Sequence, residues 1–410
     1  MRRLLAGALL VLLAVPCAAE GRTWHGRVTS FDDGDTVKVD IAGDGTHTAR
    51  RVRLTGIQAM EQSVYSNYPE RRRGECHSLE ATARLEQLIR RSHRRVRLTA
   101  QHASSHAKLR LRRSLYVRIR GRSRDVGRIL LAEGHALWLP NGAENSKNRA
   151  YARIAQEAAA RGVGIWNPTY CGHGPSEGSP LRVTVNPKRV GSDLDTPGEW
   201  IRIRNLDAVN AVPLGGWWVR DSGLRRYRFP SAVVLPPNGA VTVHVGHGTD
   251  TANDLFWGLD ILVFEYPRLG RRPVGDGAYL FDPQGDLRAS MTYPCLVDCV
   301  DPYQDAIALS ATGRGSDERV TLRNVAAGSV DLDGYRLENP PYKYVFGTDA
   351  ALAPGETITL EVAGSPQGDT RLVKHWGKSK RILDDGGDVV RLESFRGITL
   401  DCFAYGSASC

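Results

Sequence analysis

The sequence has little that would hold the protein in a membrane. Beyond its N-terminus, none of the apolar runs in the 410 residues is long enough to span a bilayer. At the start, Arg2 and Arg3 precede an apolar stretch, 4–15, and the small residues 17–19. A basic, an apolar and a small-residue segment in that order predict a signal peptide, 1–19, cleaved after Ala19, with a short buried helix as the alternative. We therefore expect a secreted protein with no transmembrane segment in the mature chain.

Cysteine is also scarce, and no CxxC pair occurs among the seven cysteines, which argues against a zinc site. Loss of Cys17 with the signal peptide leaves six, and an even number in an exported chain predicts disulfides. The sequence alone does not fix which cysteines pair. We favour two local pairs and one that ties the ends of the first domain together: Cys295–Cys299, Cys402–Cys410 and Cys76–Cys171.

Acidic residues are sparse in the first part of the chain. Residues 21–170 contain 28 Lys and Arg against 14 Asp and Glu, whereas the whole chain has a net charge of only +10. The remaining residues, 171–410, are therefore mildly acidic. Arginine supplies most of the excess, and its guanidinium binds phosphate oxygens in pairs, which lysine cannot do. The excess predicts a polyanionic partner, DNA or RNA first, and a merely solubilising surface is the alternative.

Residues 21–170 have the pattern of an α+β domain. Apolar and polar residues alternate in the strands, and apolar residues recur with a helical period in the helices. Strands are predicted at 24–53, 96–98 and 114–119, and helices at 77–92, 126–135 and 146–161. We therefore predict a small barrel with three helices packed on it, followed by a linker, 171–180, that is rich in Gly, Ser and Pro.

The rest of the chain is predicted to be all β and contains an internal repeat. The segment Glu199–Asn205 recurs as Glu318–Asn324, and Leu235–Val243 recurs as Leu352–Leu360. Each copy carries frequent turns and ends in a strand with a cysteine pair. Two such copies, 181–302 and 303–410, predict two β-sandwiches of the immunoglobulin type.

Four features of the first domain follow one another with strands between them. Asp33 and Asp35 lie in an Asp-Gly-Asp turn, Arg53 in a strand, Glu61 after a further turn, and Arg113 at the start of a later strand. Each alone is an ordinary turn or solvated side chain. Together, in this order and spacing, they resemble the staphylococcal-nuclease (thermonuclease) family over about residues 24–167.

This resemblance implies a five-stranded oligonucleotide-binding barrel that hydrolyses phosphodiester bonds of DNA or RNA with the aid of calcium. It implies Asp35 as the metal-binding carboxylate, Glu61 as the residue that activates water, and Arg53 and Arg113 as phosphate clamps. Gln58 stands where the family usually has a second metal-binding Asp. We therefore expect a weakened calcium site, with the Gln58 carbonyl as a doubtful ligand and Asp33 as a weak one.

Three consecutive arginines occur in an insertion near these residues: Arg71, Arg72 and Arg73. Beside a phosphate site they are candidates for guiding a nucleic-acid strand, and a solvated loop is the alternative.

The two sandwiches resemble lamin-tail domains in three strand motifs: Glu-x-Val/Ile-x-Leu/Ile-x-Asn, Leu-x-Gly-Trp/Tyr and Pro-x-Gly followed by Val/Leu. That resemblance implies binding or anchoring modules, with the cell envelope or another extracellular polymer as a partner. Two functions remain open. One is a secreted, calcium-assisted nuclease. The other is a weakened or inactive barrel that binds nucleic acid or another polyanion without hydrolysing it.

Overall fold

A computed structural model describes most of the chain: residues 22–62, 75–167, 169, 179–186, 199–264, 268–269, 272–273, 275–313 and 317–410. Three of the predicted features fall outside these ranges. One is the signal peptide and another is most of the linker. The third is the arginine cluster of the insertion, Arg71, Arg72 and Arg73, so its role in guiding a nucleic-acid strand stays a prediction.

The first domain is a closed five-stranded barrel. The barrel strands are β1 (Arg22–Phe31), β2 (Thr36–Ile41), β3 (Arg50–Leu54), β5 (Arg95–Ala100) and β7 (Arg110–Ile119). They are ordered β3-β2-β1-β5-β7, and a parallel pairing between β3 and β7 closes the ring. Side chains alternate between the two faces of each strand, so that Val37, Val39 and Val52 point into the core. Shorter strands are β4 (Ile57–Ala59), β6 (His106–Ala107), β8 (Arg122–Asp125) and β9 (Ala136–Trp138).

Three helices complete this domain, as predicted. They are α1 (Ser78–Arg90), α2 (Val126–Ala132) and α3 (Asn148–Ala160). Helix α1 buries Leu85, Leu88 and Ile89 on one face, as the apolar spacing of its sequence predicted, whereas Leu79 and Ala83 of the same apolar pattern are exposed. The α+β barrel with three helices is thus confirmed, while its identity as an oligonucleotide-binding fold stays a prediction.

A histidine pair links the start of α1 to the segment after α2. The rings of His77 and His135 stack with their centroids 4.8 Å apart, and His77 Nε2 lies 2.8 Å from His135 Nδ1. Burial, followed by the charge of His77, lowers the pKa of His135 to about 4. Burial also lowers the pKa of His77. Both side chains are therefore neutral in the folded protein at neutral pH.

Acid should destabilise the fold through this pair. Because the pKa of His135 is about 4 in the folded protein and 6.5 for an unperturbed histidine, the unfolded chain binds more protons between these values. Stability should therefore be full above pH ~6.5 and fall by about 2–3 kcal/mol as the pH drops to ~4. Urea unfolding at several pH values measures this loss. His135→Gln should flatten that part of the curve, and an unchanged slope would contradict the assignment.

The rest of the described chain forms two β-sandwiches with one topology. In the first, four-stranded sheets are ordered β10-β11-β16-β17 and β14-β13-β20-β21; in the second, the orders are β22-β23-β28-β29 and β26-β25-β30-β31. Equivalent strands occupy equivalent positions, so the sequence repeat is a structural repeat. Each sandwich also has its own apolar core, with Trp217 in the first and Trp376 in the second.

The strands of the first sandwich are β10 (Leu181–Asn186), β11 (Trp200–Asn205), β12 (Val212–Pro213), β13 (Trp218–Asp221), β14 (Arg226–Arg228), β15 (Val234–Leu235), β16 (Ala240–His244), β17 (Asp254–Phe256), β18 (Arg268–Leu269), β19 (Arg272–Pro273), β20 (Asp276–Phe281) and β21 (Leu287–Tyr293). Those of the second are β22 (Ile307–Thr312), β23 (Arg319–Asn324), β24 (Val330–Asp331), β25 (Arg336–Asn339), β26 (Tyr342–Val345), β27 (Ala351–Leu352), β28 (Thr357–Glu361), β29 (Val373–His375), β30 (Gly387–Glu393) and β31 (Thr399–Gly406).

The barrel and the first sandwich share a buried apolar interface. Met60 and Leu137 of the barrel pack with Trp218, Tyr279 and Phe281 of the sandwich. A backbone hydrogen bond crosses the same boundary, since the N–H of residue 76 donates to the carbonyl of residue 285 at 3.0 Å. Trp218 therefore packs between domains, unlike its neighbour in the sequence, which lies in the sandwich core.

Ion pairs join the two sandwiches to each other. Arg202 contacts Asp333, and Arg204 Nη1 lies 2.7 Å from Asp331 Oδ2. The Asp333 side chain is 1% exposed, so these contacts are well shielded from solvent. These arginines of the first sandwich are therefore neutralised by carboxylates of the second.

Two of the three predicted disulfides are present. Cys295–Cys299 and Cys402–Cys410 have Cα–Cα distances of 5.7 Å and 6.0 Å. Cys76 is disulfide-bonded as well, and Cys171, the partner predicted for it, lies outside the described residues. Disulfides are typical of proteins in oxidising compartments. No helix in the described part of the chain is long and apolar enough to cross a membrane.

Candidate functional site

Asp35 and Arg53 form a buried ion pair at one end of the barrel. Asp35 follows the turn after β1, where its N–H donates to Asp33 Oδ1 at 2.9 Å, and Arg53 lies in β3. Arg53 Nη1 contacts Asp35 Oδ1, while Ala59 N–H donates to Asp35 Oδ2 at 2.8 Å and the Thr36 hydroxyl donates to Oδ1 at 3.0 Å. Burial lowers the pKa of Arg53 to about 10. Arg53 therefore stays protonated at neutral pH.

Gln58 links this ion pair to Glu61. Arg53 Nη2 donates a hydrogen bond to Gln58 Oε1, and Gln58 Nε2 donates to Glu61 Oε1 at 2.8 Å and to Ala59 O at 3.0 Å. The Gln58 amide thus accepts a hydrogen bond from the Arg53 guanidinium through its oxygen and donates one to the Glu61 carboxylate through its nitrogen. Gln58 is 2% exposed, so this bridge fixes the relative position of Arg53 and Glu61.

Glu61 is partly buried beside other charges. Its N–H donates to Glu75 Oε2 at 3.0 Å, and Glu75 N–H donates to Glu61 O at 2.9 Å. Burial raises the pKa of Glu61, the nearby Asp33 raises it further, and Arg53 lowers it. A carboxylate with a raised pKa is a stronger base, which suits a group that takes a proton from water.

Arg113 is buried, but its guanidinium is turned toward a loop. Nη1 donates to Ser105 O at 2.9 Å and Nη2 donates to Ala103 O at 2.8 Å, and the Arg113 Cζ lies 4.4 Å from the centroid of the Trp24 ring. Burial lowers its pKa. Its strand does lie beside β3, because Leu54 pairs with Arg113. Arg113 thus donates its hydrogen bonds to backbone carbonyls and does not join the site. The other predicted site residues of the barrel that the structure describes do come together: Asp33, Asp35, Arg53, Gln58 and Glu61.

A cavity of about 360 Å³ opens beside Arg53 and Gln58. Three further cations of the barrel, which sequence reasoning did not select, line it: Lys108, Arg110 and Arg112. Arg112 lies directly beside Arg53 in the register of β3 and β7, and Arg110 Nη1 donates to Thr36 Oγ1 at 3.4 Å. The strand pattern Arg-x-Arg in β7 was the available signal. Four barrel cations therefore surround one cavity, and guanidinium groups are the donors that match phosphate oxygens in pairs.

The first sandwich supplies one wall of the same cavity. The turn between β13 and β14 reaches it with Asp221 and the segment 223–225. Arg220, next to this turn, is fully buried; its Nη2 lies 3.5 Å from Glu75 Oε2 and 3.6 Å from Met60 Sδ. The sandwich therefore contacts Glu75, which in turn accepts the hydrogen bond from Glu61. Nothing in the sequence of either domain indicates this contact, because it joins residues about 145 positions apart.

The oxygen atoms here do not form a ready cation site. Both Asp35 oxygens accept protein hydrogen bonds, and the Gln58 carbonyl accepts one from Arg53. In the described ranges, no group of three or more His, Cys, Asp or Glu side chains is arranged to hold a metal ion. A cation at Asp35 would have to displace Arg53 from its carboxylate. Calcium binding accordingly stays a prediction.

Fold and site together define a basic α+β barrel whose cation-lined cavity is completed by an immunoglobulin-like sandwich. Comparison with known families gives one match, and it lies in that sandwich. Residues 181–295 match the family of the Lamin Tail Domain, in agreement with the resemblance noted from its strand motifs. The second sandwich repeats the topology of the first. No curated protein matches the chain.

Proposed function

We propose that this protein is a secreted nuclease that hydrolyses phosphodiester bonds of DNA or RNA. The observation that carries the proposal is the buried chain of contacts from Asp35 through Arg53 and Gln58 to Glu61. Two of its members, Arg53 and Gln58, line a cavity with further cations, and Gln58 bonds directly to Glu61. Phosphoryl transfer needs positive charge at the equatorial oxygens and a carboxylate near the attacking water, and this arrangement offers both.

The cations would act chiefly on the transition state. Attack on the phosphorus concentrates negative charge on the non-bridging oxygens, which makes fixed guanidinium donors more effective there than in the ground state. Arg53 is held by Asp35 and Gln58, so little reorganisation is needed during the reaction. Arg112 lies beside it on β7 and would serve as the second phosphate ligand in place of, or together with, Arg113. Glu61 would accept the proton from water.

Digestion of DNA and RNA by the purified mature chain tests this proposal. Single-stranded and duplex substrates are incubated with calcium or with a chelator, and products are resolved by size. We expect cleavage that depends on the intact chain and is stimulated by calcium. Background cleavage in every condition, unchanged in Glu61→Gln, would refute the proposal.

A second candidate is a barrel that binds nucleic acid or another polyanion without hydrolysis. The full use of the Asp35 and Gln58 oxygens within the protein favours it. This function predicts affinity that falls steeply with salt, because phosphate binding by Arg releases counterions. Measurable, salt-sensitive binding with no cleavage in any condition would select it over the nuclease.

Gln58→Asp should strengthen calcium binding. The substitution restores a carboxylate next to Asp35 and removes the amide that bonds to Arg53, so both the charge and the access of the site favour a cation. We expect the dissociation constant for calcium, measured by isothermal titration calorimetry, to fall about tenfold or more. Gln87→Asp, on the exposed surface of α1, is the matched control and should not change it. Equal calcium affinity in the two variants would show that calcium does not bind at this site, and the proposed role of calcium would be wrong.

For the sandwiches we propose anchoring to the cell envelope or to another extracellular polymer. The Lamin Tail Domain match over residues 181–295 supports a non-catalytic module. Secretion itself is supported by the N-terminal segment and by the disulfides. Detection of the chain in the culture medium, with an N-terminus after residue 19, tests secretion and the cleavage site together.

A further inference from the structure

A second cationic groove lies on the outer face of the barrel. It encloses about 920 Å³, far more than the cavity beside Arg53. Four arginines line it, together with two histidines and one tyrosine: Arg27, Arg95, Arg97, Arg118, His25, His47 and Tyr116. Asp40 is the one carboxylate among the described lining residues, and its Oδ2 lies 3.5 Å from His47 Nδ1.

Strand register builds the groove from outward-facing positions. Across β1, β5 and β7, His25 lies beside Arg97, and Arg97 lies beside Tyr116. Two residues further along β1, Arg27 lies beside Arg95 of β5. The alternate positions of β5 are buried in the core, as residues 96 and 98 show. Alternation in β1, β5 and β7 therefore sends the apolar side chains inward and collects the cations on one outer face.

The positive charges of the four arginines are not neutralised by carboxylates of the described residues and can therefore attract an anionic ligand. Arg27 Nη1 donates to His93 O at 3.1 Å and Arg118 Nε donates to Gly121 O at 3.1 Å, both neutral acceptors. Within the described ranges, none of the four forms an ion pair with a carboxylate, whereas the arginines at 202 and 204 of the first sandwich are both paired with aspartates. Unpaired arginines crowded on one face repel one another and attract a polyanion.

Tyr116 supports one of these arginines: Arg97 and Lys147 both lie against its ring, with Lys147 Nζ 4.5 Å from the centroid, so the surface offered for stacking is the Arg97 guanidinium. The Arg97 Cζ lies 4.1 Å from the centroid of the Tyr116 ring, and Arg97 Nη2 donates to Ser123 Oγ at 3.3 Å. A guanidinium held over an aromatic ring offers a flat cation on which an unpaired base can stack. Strands spaced about 4.8 Å apart make the face of β1, β5 and β7 on the order of 10 Å wide. That width suits one nucleic-acid strand with accessible bases.

The groove is separate from the candidate catalytic site. Asp35 lies at the turn of the β1–β2 hairpin, next to the pair Phe31–Val37, while the groove lies at the other end, at the pair Gly26–Ile41. About five residues of extended strand separate these pairs, roughly 16 Å. A bound strand would therefore contact the groove with nucleotides that are not being cleaved.

We propose that this outer groove binds single-stranded nucleic acid and holds the strand while another part of it enters the cavity beside Arg53. The inference rests on the proposed function for its purpose, but its test does not require catalysis. It names single strands as the preferred substrate class, because a duplex encloses the bases that would stack on the Arg97 guanidinium.

The test measures binding of a fluorescent single-stranded oligonucleotide to the mature chain by anisotropy, in chelator and in a Glu61→Gln background to prevent cleavage. The variant Arg95→Gln/Arg97→Gln/Arg118→Gln should bind about tenfold or more weakly at low salt. Loss of three phosphate contacts should also reduce the slope of log affinity against log salt by about two. Arg91→Gln/Arg149→Gln/Arg153→Gln removes the same charge from exposed positions outside the groove, one just after α1 and two in α3, and should leave the slope unchanged.

Tyr116→Leu separates stacking from charge. It should weaken binding about fivefold or more without changing the salt slope, because stacking releases no counterions. Circular dichroism melting confirms that each variant is folded. Affinity and slope that are the same in the groove variant as in the helical control would overturn the inference, as would a loss of affinity for duplex only.

The outcome is distinguishable from that of the nuclease proposal. A chain that binds single strands through the groove but cleaves nothing keeps this inference and loses the proposed function. A chain that cleaves DNA, with a groove variant whose salt slope is unchanged, keeps the function and loses the inference.

Discussion

Glu61→Gln is expected to slow phosphodiester hydrolysis by about 10²–10⁴-fold, the usual contribution of a positioned general base. The amide has the shape of the carboxylate but cannot accept the proton from water. Because burial and Asp33 raise the pKa of Glu61, the acid limb of the rate profile of the unmodified chain should lie above the ordinary value for glutamate. The initial rate of oligonucleotide cleavage, measured across the acidic to mildly alkaline range, gives both quantities.

Two controls make this result specific to Glu61. Glu80→Gln, on the exposed first turn of α1, should leave the rate and the pH profile unchanged. Oligonucleotide binding to Glu61→Gln should equal that of the unmodified chain, so that the loss falls on turnover. A variant that retains full activity would show that Glu61 has no part in the chemistry.

Arg220→Met is expected to lower the free energy of unfolding by about 3–5 kcal/mol, the usual effect of removing one partner of a buried ion pair. The Arg220 side chain is 0% exposed and the Glu75 side chain 4%, and Arg220 Cζ lies 4.9 Å from the centroid of the Phe281 ring. Removing the guanidinium leaves the Glu75 carboxylate in an apolar interface between two domains. Urea unfolding of the full chain measures the change.

A neighbouring arginine provides the control. Arg226 Nη2 lies 4.0 Å from the same carboxylate but its side chain is 43% exposed, so Arg226→Met should cost no more than about 1 kcal/mol. The double variant Glu75→Leu/Arg220→Met removes both buried charges and should recover much of the lost stability. Equal effects of the two single arginine variants would mean that the interface is solvated and that the sandwich does not support Glu61.

This interface also gives the first sandwich a role in the site. Arg220 contacts Glu75, Glu75 accepts the hydrogen bond from Glu61 N–H, and the adjoining turn lines the cavity beside Arg53. The barrel and the first sandwich therefore form one structural unit around the candidate site. Under the proposed function, the first sandwich would thus help to position the candidate catalytic groups.

Local patterns in the sequence were sufficient to predict the barrel, its three helices and the repeated sandwiches. Strand alternation and helical periodicity depend only on neighbouring residues, which is why Leu85 and Leu88 could be assigned to the buried face of a helix before any fold was known. The local cysteine pairs were predictable for the same reason, since four and eight residues separate their members.

Only the tertiary structure decided which polar groups meet. From the sequence, Gln58 is interpreted as a doubtful metal ligand in the place of an aspartate, whereas in the fold its amide bridges Arg53 and Glu61. The closure of the barrel between β3 and β7 places Arg112 beside Arg53. The packing of the two domains brings Arg220 into contact with Glu75, which accepts a hydrogen bond from Glu61. The reason is physical: side-chain hydrogen bonds and ion pairs act over a few ångströms. Which groups come that close depends on strand register and domain docking, which local periodicity does not encode.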